Sequence, residues 1–227
     1  MTGSVLVVAS STDSDAGYVG ERLQHHGYTL RTVMRDRAET PTVVPPDADG
    51  VLLLGSEWSV HSPVDLEARD RECALVRSAQ ASGLPVLALC YGAQIVAHAF
   101  RGSVSRARRP EVGLVSVRSD DEDLVPAGPW TAFHVDVVDP PPGARVVARN
   151  ACGTQAFTLP GVLAVQFHPE VRPDTLADWT RRFPGLLAET GLDRDRLLDE
   201  ARARQPAARA AACALVDAFL GRVAATV

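Results

Sequence analysis

Apolar residues run unbroken over Val5-Leu6-Val7-Val8-Ala9, Val51-Leu52-Leu53-Leu54 and Val86-Leu87-Ala88-Leu89. Runs of this kind mark strands buried on both faces, as in parallel sheets. Asp13 and Asp15 can cap a helix that carries Val19 and Leu23 on one side and stops at Gly27. Tyr28 to Val33 reads as another strand. Ser62-Pro63-Val64-Asp65 offers a capping serine, a proline at the first helical position and an acid three residues past the cap, so it predicts a helix start. That helix closes near Gly83-Leu84-Pro85, and a further helical pattern covers about Ala93 to Phe100. The order β-α-β-β-α-β-α predicts an α/β sheet with helices on both faces.

The second half changes rhythm. Val112 to Val117, Thr131 to Val138, Ala144 to Ala148, Thr154 to Phe157 and Val162 to Phe167 read as strands in close succession. Turns at Pro140–Gly143 and Gly161 make antiparallel pairing the expectation for some of them. Near the C-terminus Ala212, Val216, Phe219, Leu220 and Val223 fall on one helix face. The expected fold is α/β: a mostly parallel central sheet with helices on both faces, a smaller antiparallel region in the second half, and a helical tail. No linker interrupts residues 1–227, which are expected to form one domain.

Composition narrows the chemistry. The chain has 46% hydrophobic and 22% charged residues, ordinary for a globular protein. A net charge of −5 argues against nucleic acid as the main partner. All 23 basic residues are arginine, which excludes a lysine Schiff base and a GK[ST] phosphate loop. Cys73, Cys90, Cys152 and Cys213 form no CxxC pair, so neither a zinc site nor a disulfide framework is expected, nor any metal or cofactor. The apolar segment Val86–Phe100, broken by Gln94 and His98, is too short to span a bilayer. A soluble cytoplasmic protein is the expectation.

The Cys90 stretch stands out. A buried strand ends at Leu89 and a helix opens within three residues, which thrusts Cys90 into an exposed, strained corner, the elbow logic of serine hydrolases with sulfur for oxygen. Gly92 is needed because a side chain there would crowd the returning backbone. The helix start after Cys90 supplies free N–H groups and a positive dipole end, which favour a thiolate and an oxyanion. Alone, the stretch fits a buried structural cysteine as well. Gln166-Phe167-His168-Pro169-Glu170 supplies the complement: His168 at a strand end as base, with Glu170 near enough to hold its tautomer. His25, His26, His61 and His98 read as surface or helix residues, and His134 as ambiguous. Arg101, Arg106, Arg108 and Arg109 read as a solvated loop, with the acidic run Asp120–Asp123 opposite it.

Cys90-Tyr91-Gly92-Ala93-Gln94, followed 78 positions later by His168-Pro169-Glu170, resembles the class I glutamine amidotransferases. The likeness extends to Phe133-His134-Val135-Asp136, Pro142-Gly143-Ala144 and Gln155-Ala156-Phe157, and it is greatest to the stand-alone, GMP-synthase-like members. The resemblance implies a Cys90–His168–Glu170 triad that cleaves a γ-glutamyl amide through a thioester. It also implies that Gln94, Phe133, His134 and Asp136 line the glutamyl pocket. Where the family carries a Gly-Gly-Pro-like oxyanion run, this chain has Gly55-Ser56-Glu57-Trp58-Ser59. Gly55 and Ser56 are therefore the oxyanion candidates beside Tyr91. If position 56 needs φ > 0, serine there costs about 1 kcal/mol. Trp58 is either a wall for a leaving amine larger than ammonia or a loop aromatic over the core edge.

Three functions follow. The first is a glutaminase that releases ammonia for a partner synthase, since no fused nucleotide-binding domain is in view. The second is a stand-alone γ-glutamyl hydrolase of a small conjugate. The third is a catalytically impaired regulatory protein of the same family, which the complete triad disfavours.

Overall fold

The computed structural model describes residues 3–63 and 65–226. In chain order its elements are β1 (Ser4–Ala9), α1 (Gly17–His25), β2 (Thr29–Met34), β3 (Gly50–Leu53), α2 (Leu66–Ala81), β4 (Val86–Leu89) and α3 (Tyr91–Ala99). Then follow β5 (Ser103–Ser119), β6 (Gly128–Asp139), β7 (Arg145–Arg149), β8 (Thr154–Leu159), β9 (Val162–Val165), α4 (Pro173–Arg182), α5 (Pro184–Thr190) and α6 (Arg194–Ala218). The nine strands form one sheet in the order β2-β1-β3-β4-β9-β8-β6-β5-β7.

Alternation along the inner strands decides which helix covers which face. Val5, Val7, Leu52, Leu87 and Leu89 pack with Val19 and Leu23 of α1 and Leu215 and Val216 of α6. Leu6, Val8, Val51, Leu53, Val86 and Ala88 turn the other way, onto Cys73 and Val76 of α2 and Ile95 and Val96 of α3. With helices on both faces, these strands have no wet side, which explains their unbroken apolar runs.

The expectation of a mostly parallel sheet is wrong. The sheet is mixed: β2, β1, β3, β4 and β9 are joined by four parallel pairings, while five antiparallel pairings join the rest. Nor is the antiparallel part a smaller appendage. β5 and β6 are the longest strands, at 17 and 12 residues, and β5, β6, β8 and β7 pair in a closed ring. The arginine-rich stretch before Val112 conceals half of β5. It reads as loop because Pro110 lacks an N–H, yet the strand carries it at a register break between Arg106 and Glu111.

Three helix expectations also shift. Ala16, not Asp13 or Asp15, is the N-cap of α1, although Asp15 Oδ1 still accepts from Gly17 N at 2.9 Å. Asp65, not Ser62, caps α2, and the Ser62 hydroxyl bonds the Asp65 carboxylate at 2.8 Å. Val64, part of that expected start, lies outside the described residues. Among the described residues the tail holds three α-helices, and α6 begins well before Ala212, with Asp193 accepting from Arg196 N as its cap, while Phe219–Val223 continues it as a π-helical turn.

Candidate active site

In the sheet, β4 lies between β3 and β9, and all three run the same way. The segments that leave their C-terminal ends are therefore neighbours: Gly55–Ser56 after β3, Cys90 after β4, and Gln166–His168 after β9. Crevices outside the carboxyl ends of parallel strands are where α/β folds bind ligands.

Cys90 links β4 directly to α3. Its N–H donates to Val165 O (2.8 Å) and its carbonyl already accepts from Gln94 N (3.1 Å). Serving both elements with no intervening loop forces φ = 50°, ψ = −105°, a backbone conformation that costs a non-glycine residue about 1–3 kcal/mol. Close packing beneath the corner explains Gly92: a Cβ there would lie 2.7 Å from Leu53 O and from Leu53 Cβ.

His168 is 4% exposed and is held from three directions. Its backbone N–H donates to Thr131 O on β6 (2.7 Å), its Nδ1 meets Glu170 Oε1 at 2.7 Å, and the Trp179 ring packs against it at 4.7 Å, edge on. Nε2 has no hydrogen-bond partner among the described residues, while Gln166 Nε2 donates to Cys90 Sγ at 3.6 Å. Burial disfavours the imidazolium, but the charges of Cys90 and then Glu170, with the hydrogen bond to Glu170, hold the His168 pKa well above the ordinary histidine range. Gly55 closes over the ring, and a Cβ on it would stand 2.7 Å from His168 Cε1 and 3.6 Å from Cys90 Cβ.

A cavity of about 360 Å³ opens here. Of the residues named from the sequence, Gly55, Ser56, Cys90, Gln94, Phe133, His134, Asp136 and His168 line it. Glu170 sits behind His168, and Tyr91 turns away, its ring beneath the Arg35 guanidinium at 5.0 Å. Gln94 is buried, and its Oε1 lacks a partner among the described residues. His134, ambiguous in the sequence, is buried, with Nδ1 2.9 Å from Asp136 O and Nε2 3.3 Å from Glu111 Oε2. Asp136 accepts from Ser59 Oγ at 2.9 Å. Trp58 lines the cavity and also packs on the core.

Two sequence expectations fail at this site. Ser56 is not at positive φ; among the described non-glycine residues only Ala38, Cys90 and Arg101 are. The strain expected of a serine there is therefore absent. The acidic run does not face the arginine cluster either: Asp120 pairs with Arg118 and Arg149, and Asp121 with Arg145 and Arg222. Arg106 instead reaches the cavity wall.

Trp179 and Asp13 join the site without a local signal in the sequence. Trp179 Nε1 donates to Asp13 Oδ2 at 2.7 Å, and Asp13 lines the cavity. Burial and then the nearby Glu170 charge raise the Asp13 pKa, against the Trp179 hydrogen bond. Pro173 and Asp174 announce α4 in the sequence, but nothing near them tells that Trp179 reaches back to a histidine.

A strained thiol at the end of a parallel strand pair, beside a buried imidazole–carboxylate pair, is the equipment of acyl transfer through a cysteine. The family model described as glutamine amidotransferase class-I matches residues 15–183, and the chain belongs to that family. A GMP synthase (glutamine-hydrolyzing) subunit of Sulfurisphaera tokodaii is 32% identical over 143 residues, which cover 59% of this chain and 73% of that one. GMP synthase (glutamine-hydrolyzing) of Thermomicrobium roseum is 34% identical over 155 residues, 61% of this chain but only 28% of that one. A glutamine amidotransferase from Thermotoga maritima shares the fold with a TM-score of 0.86 at 20% identity, over 97% of this chain and 99% of that one. Among the described residues no helix is long and apolar enough to cross a membrane.

Proposed function

We propose that this chain hydrolyses the side-chain amide of glutamine through a thioester on Cys90, releasing ammonia for a partner synthase. The observation that carries the reading is the buried His168–Glu170 pair, 2.7 Å apart, with His168 Nε2 unengaged among the described residues and the Cys90 thiol in its immediate surroundings. In this mechanism the Cys90 thiol gives its proton to His168 and the sulfur attacks the amide carbon. The negative oxygen is held by N–H groups of the Gly55–Ser56 loop and of Tyr91 at the start of α3. His168 passes its proton to the leaving nitrogen, ammonia departs, and the γ-glutamyl group stays on sulfur. The neutral imidazole then takes a proton from water, which attacks the thioester and frees glutamate. Glu170 fixes the tautomer and orientation of His168 throughout. Gln94, Phe133, His134 and Asp136 bound the glutamyl portion of the cavity. A partner synthase is suggested by the relatives' names, two of which describe a glutamine-hydrolysing synthase or one of its subunits.

A glutamine-like diazoketone should add one equivalent of mass, on the peptide that contains Cys90, and Cys90→Ala should abolish hydrolysis. Burial pushes the Cys73 and Cys152 thiols up to about 11, so neither should compete near neutral pH. Label on Cys73, Cys152 or Cys213 instead would end the proposal.

A second reading, hydrolysis of a γ-glutamyl conjugate, draws support from the cavity's lining, where Trp58, Phe183 and Leu186 offer apolar surface that ammonia does not use. A γ-glutamyl aryl amide cleaved with much higher kcat/KM than glutamine, without a partner, would favour it.

A further inference from the structure

Arg35 is the largest fully buried side chain among the described residues, 1% exposed, in the short turn Arg35–Arg37 after β2. Nothing in the mechanism above uses it. Its guanidinium donates to Glu72 Oε1 (3.0 Å) and Oε2 (3.3 Å), and the Glu72 side chain, on α2, is fully buried too. The other donors go to the ends of two strands: Val8 O (3.3 Å) on β1, and Leu54 O (2.9 Å) and Gly55 O (2.6 Å) after β3, with Ser10 Oγ at 3.3 Å.

We infer that Arg35 is a positioning residue for the oxyanion loop, acting through its grip on Gly55 O. The inference rests on the proposed thioester chemistry. A trans peptide holds its C=O and the following N–H on opposite sides, and the described chain has no cis bond. Fixing Gly55 C=O toward Arg35 therefore turns Ser56 N–H away from it, to the side where Gly55 meets His168 and Cys90. Among the described residues Ser56 N–H has no backbone partner, as suits a donor kept for a ligand. The 2.6 Å bond is the shortest of the set and is charge-assisted. Arginine suits the task because a rigid fork can hold Glu72 on one edge and three carbonyls on the others, which a point-charge lysine cannot. A matched apolar pair would serve a core at least as well as a buried ion pair, so the Arg35–Glu72 pair serves specificity of conformation.

The test compares the wild type with Arg35→Met/Glu72→Leu, which removes both charges together and leaves neither unpaired. Three quantities are read: kcat and KM for glutamine, affinity for a γ-glutamyl aldehyde, and the rate of Cys90 alkylation by iodoacetamide. The aldehyde adds the thiol across its carbonyl and places a developing oxyanion in the loop, whereas alkylation builds none. Misplacing the donor should lower kcat by about 10²–10³-fold and weaken the aldehyde by a similar factor, with KM and alkylation within about threefold of wild type. If the double variant melts too low to assay, Arg35→Lys carries the same comparison. A kcat within about threefold of wild type, or alkylation falling as far as kcat, would overturn the inference. Cys90→Ala separates the two levels: retained activity there sinks the thioester reading itself, while a dead Cys90→Ala beside a fully active Arg35 variant sinks only this one.

Discussion

Gly55→Ala tests the packing of the site most directly. The added Cβ would sit 2.7 Å from His168 Cε1, whereas carbon atoms in contact prefer about 3.5–4.0 Å. Roughly 1 Å of movement must therefore be found. The imidazole cannot yield freely, being bonded at Nδ1 to Glu170 (2.7 Å) and backed by Trp179 (4.7 Å). The loop cannot retreat freely either, because Arg35 holds Gly55 O at 2.6 Å. A displacement of this size in a reacting group can cost about 10²-fold, which is about 2.7 kcal/mol of barrier. Overpacking should also lower stability by about 1–3 kcal/mol. Steady-state glutamine hydrolysis and thermal melting measure the two effects. A variant with kcat/KM within about threefold of wild type would refute the reasoning, since the structure leaves no room for the methyl.

Glu170→Gln removes a charge that raises the His168 pKa, so the alkaline limb of kcat/KM, where the imidazolium loses its proton, should move to lower pH; a limb that stays in place would deny the coupling. Ser56→Gly relieves no strain, because Ser56 is not at positive φ, and it deletes the Oγ bonds to Ser10 Oγ (3.1 Å) and from Trp58 N (3.2 Å). Its hydrolysis rate should fall or hold, and a rise would show that the loop is strained after all. Asp217, beside Arg22 and His26, has its pKa lowered to about 2, so its stabilising contribution is complete above the usual carboxylate value and fades as pH falls toward 2. Asp217→Asn should flatten the melting temperature across that window, by a small amount because the pair is partly exposed.

How much of this was legible depended on whether the signal was local. Cys90 and His168 announce themselves because strand end, glycine and helix start are adjacent in sequence. The long antiparallel ring did not, because β5 hides its first half under arginines and Pro110, residues that read as solvated loop. Its pairing partners lie far along the chain, and alternation alone does not say whether neighbouring strands run together or opposed. Trp179 and Asp13 are 166 positions apart, and only the folding of α4 against the β1 end brings them onto His168. Arg35 was one arginine among 23 until burial distinguished it.

The departure of Gly55-Ser56-Glu57 from the family's glycine-rich run looks, from sequence, like damage to the oxyanion site. The geometry argues otherwise. A second glycine helps where the backbone must adopt φ > 0 or where nothing else orders the loop, and neither holds here. Ser56 is not at positive φ, and its hydroxyl bonds Ser10 Oγ and Trp58 N. Glu57 is tied to Thr12 Oγ1 at 3.1 Å, and the carbonyl before Ser56 is clamped by Arg35. Side-chain hydrogen bonds thus order this loop. The glycine that remains, Gly55, is the one whose Cα faces the imidazole, where a side chain is excluded by contact. On the proposed mechanism, glycine is thus kept where contact excludes a side chain, and position 56, which is not at positive φ, does not require one.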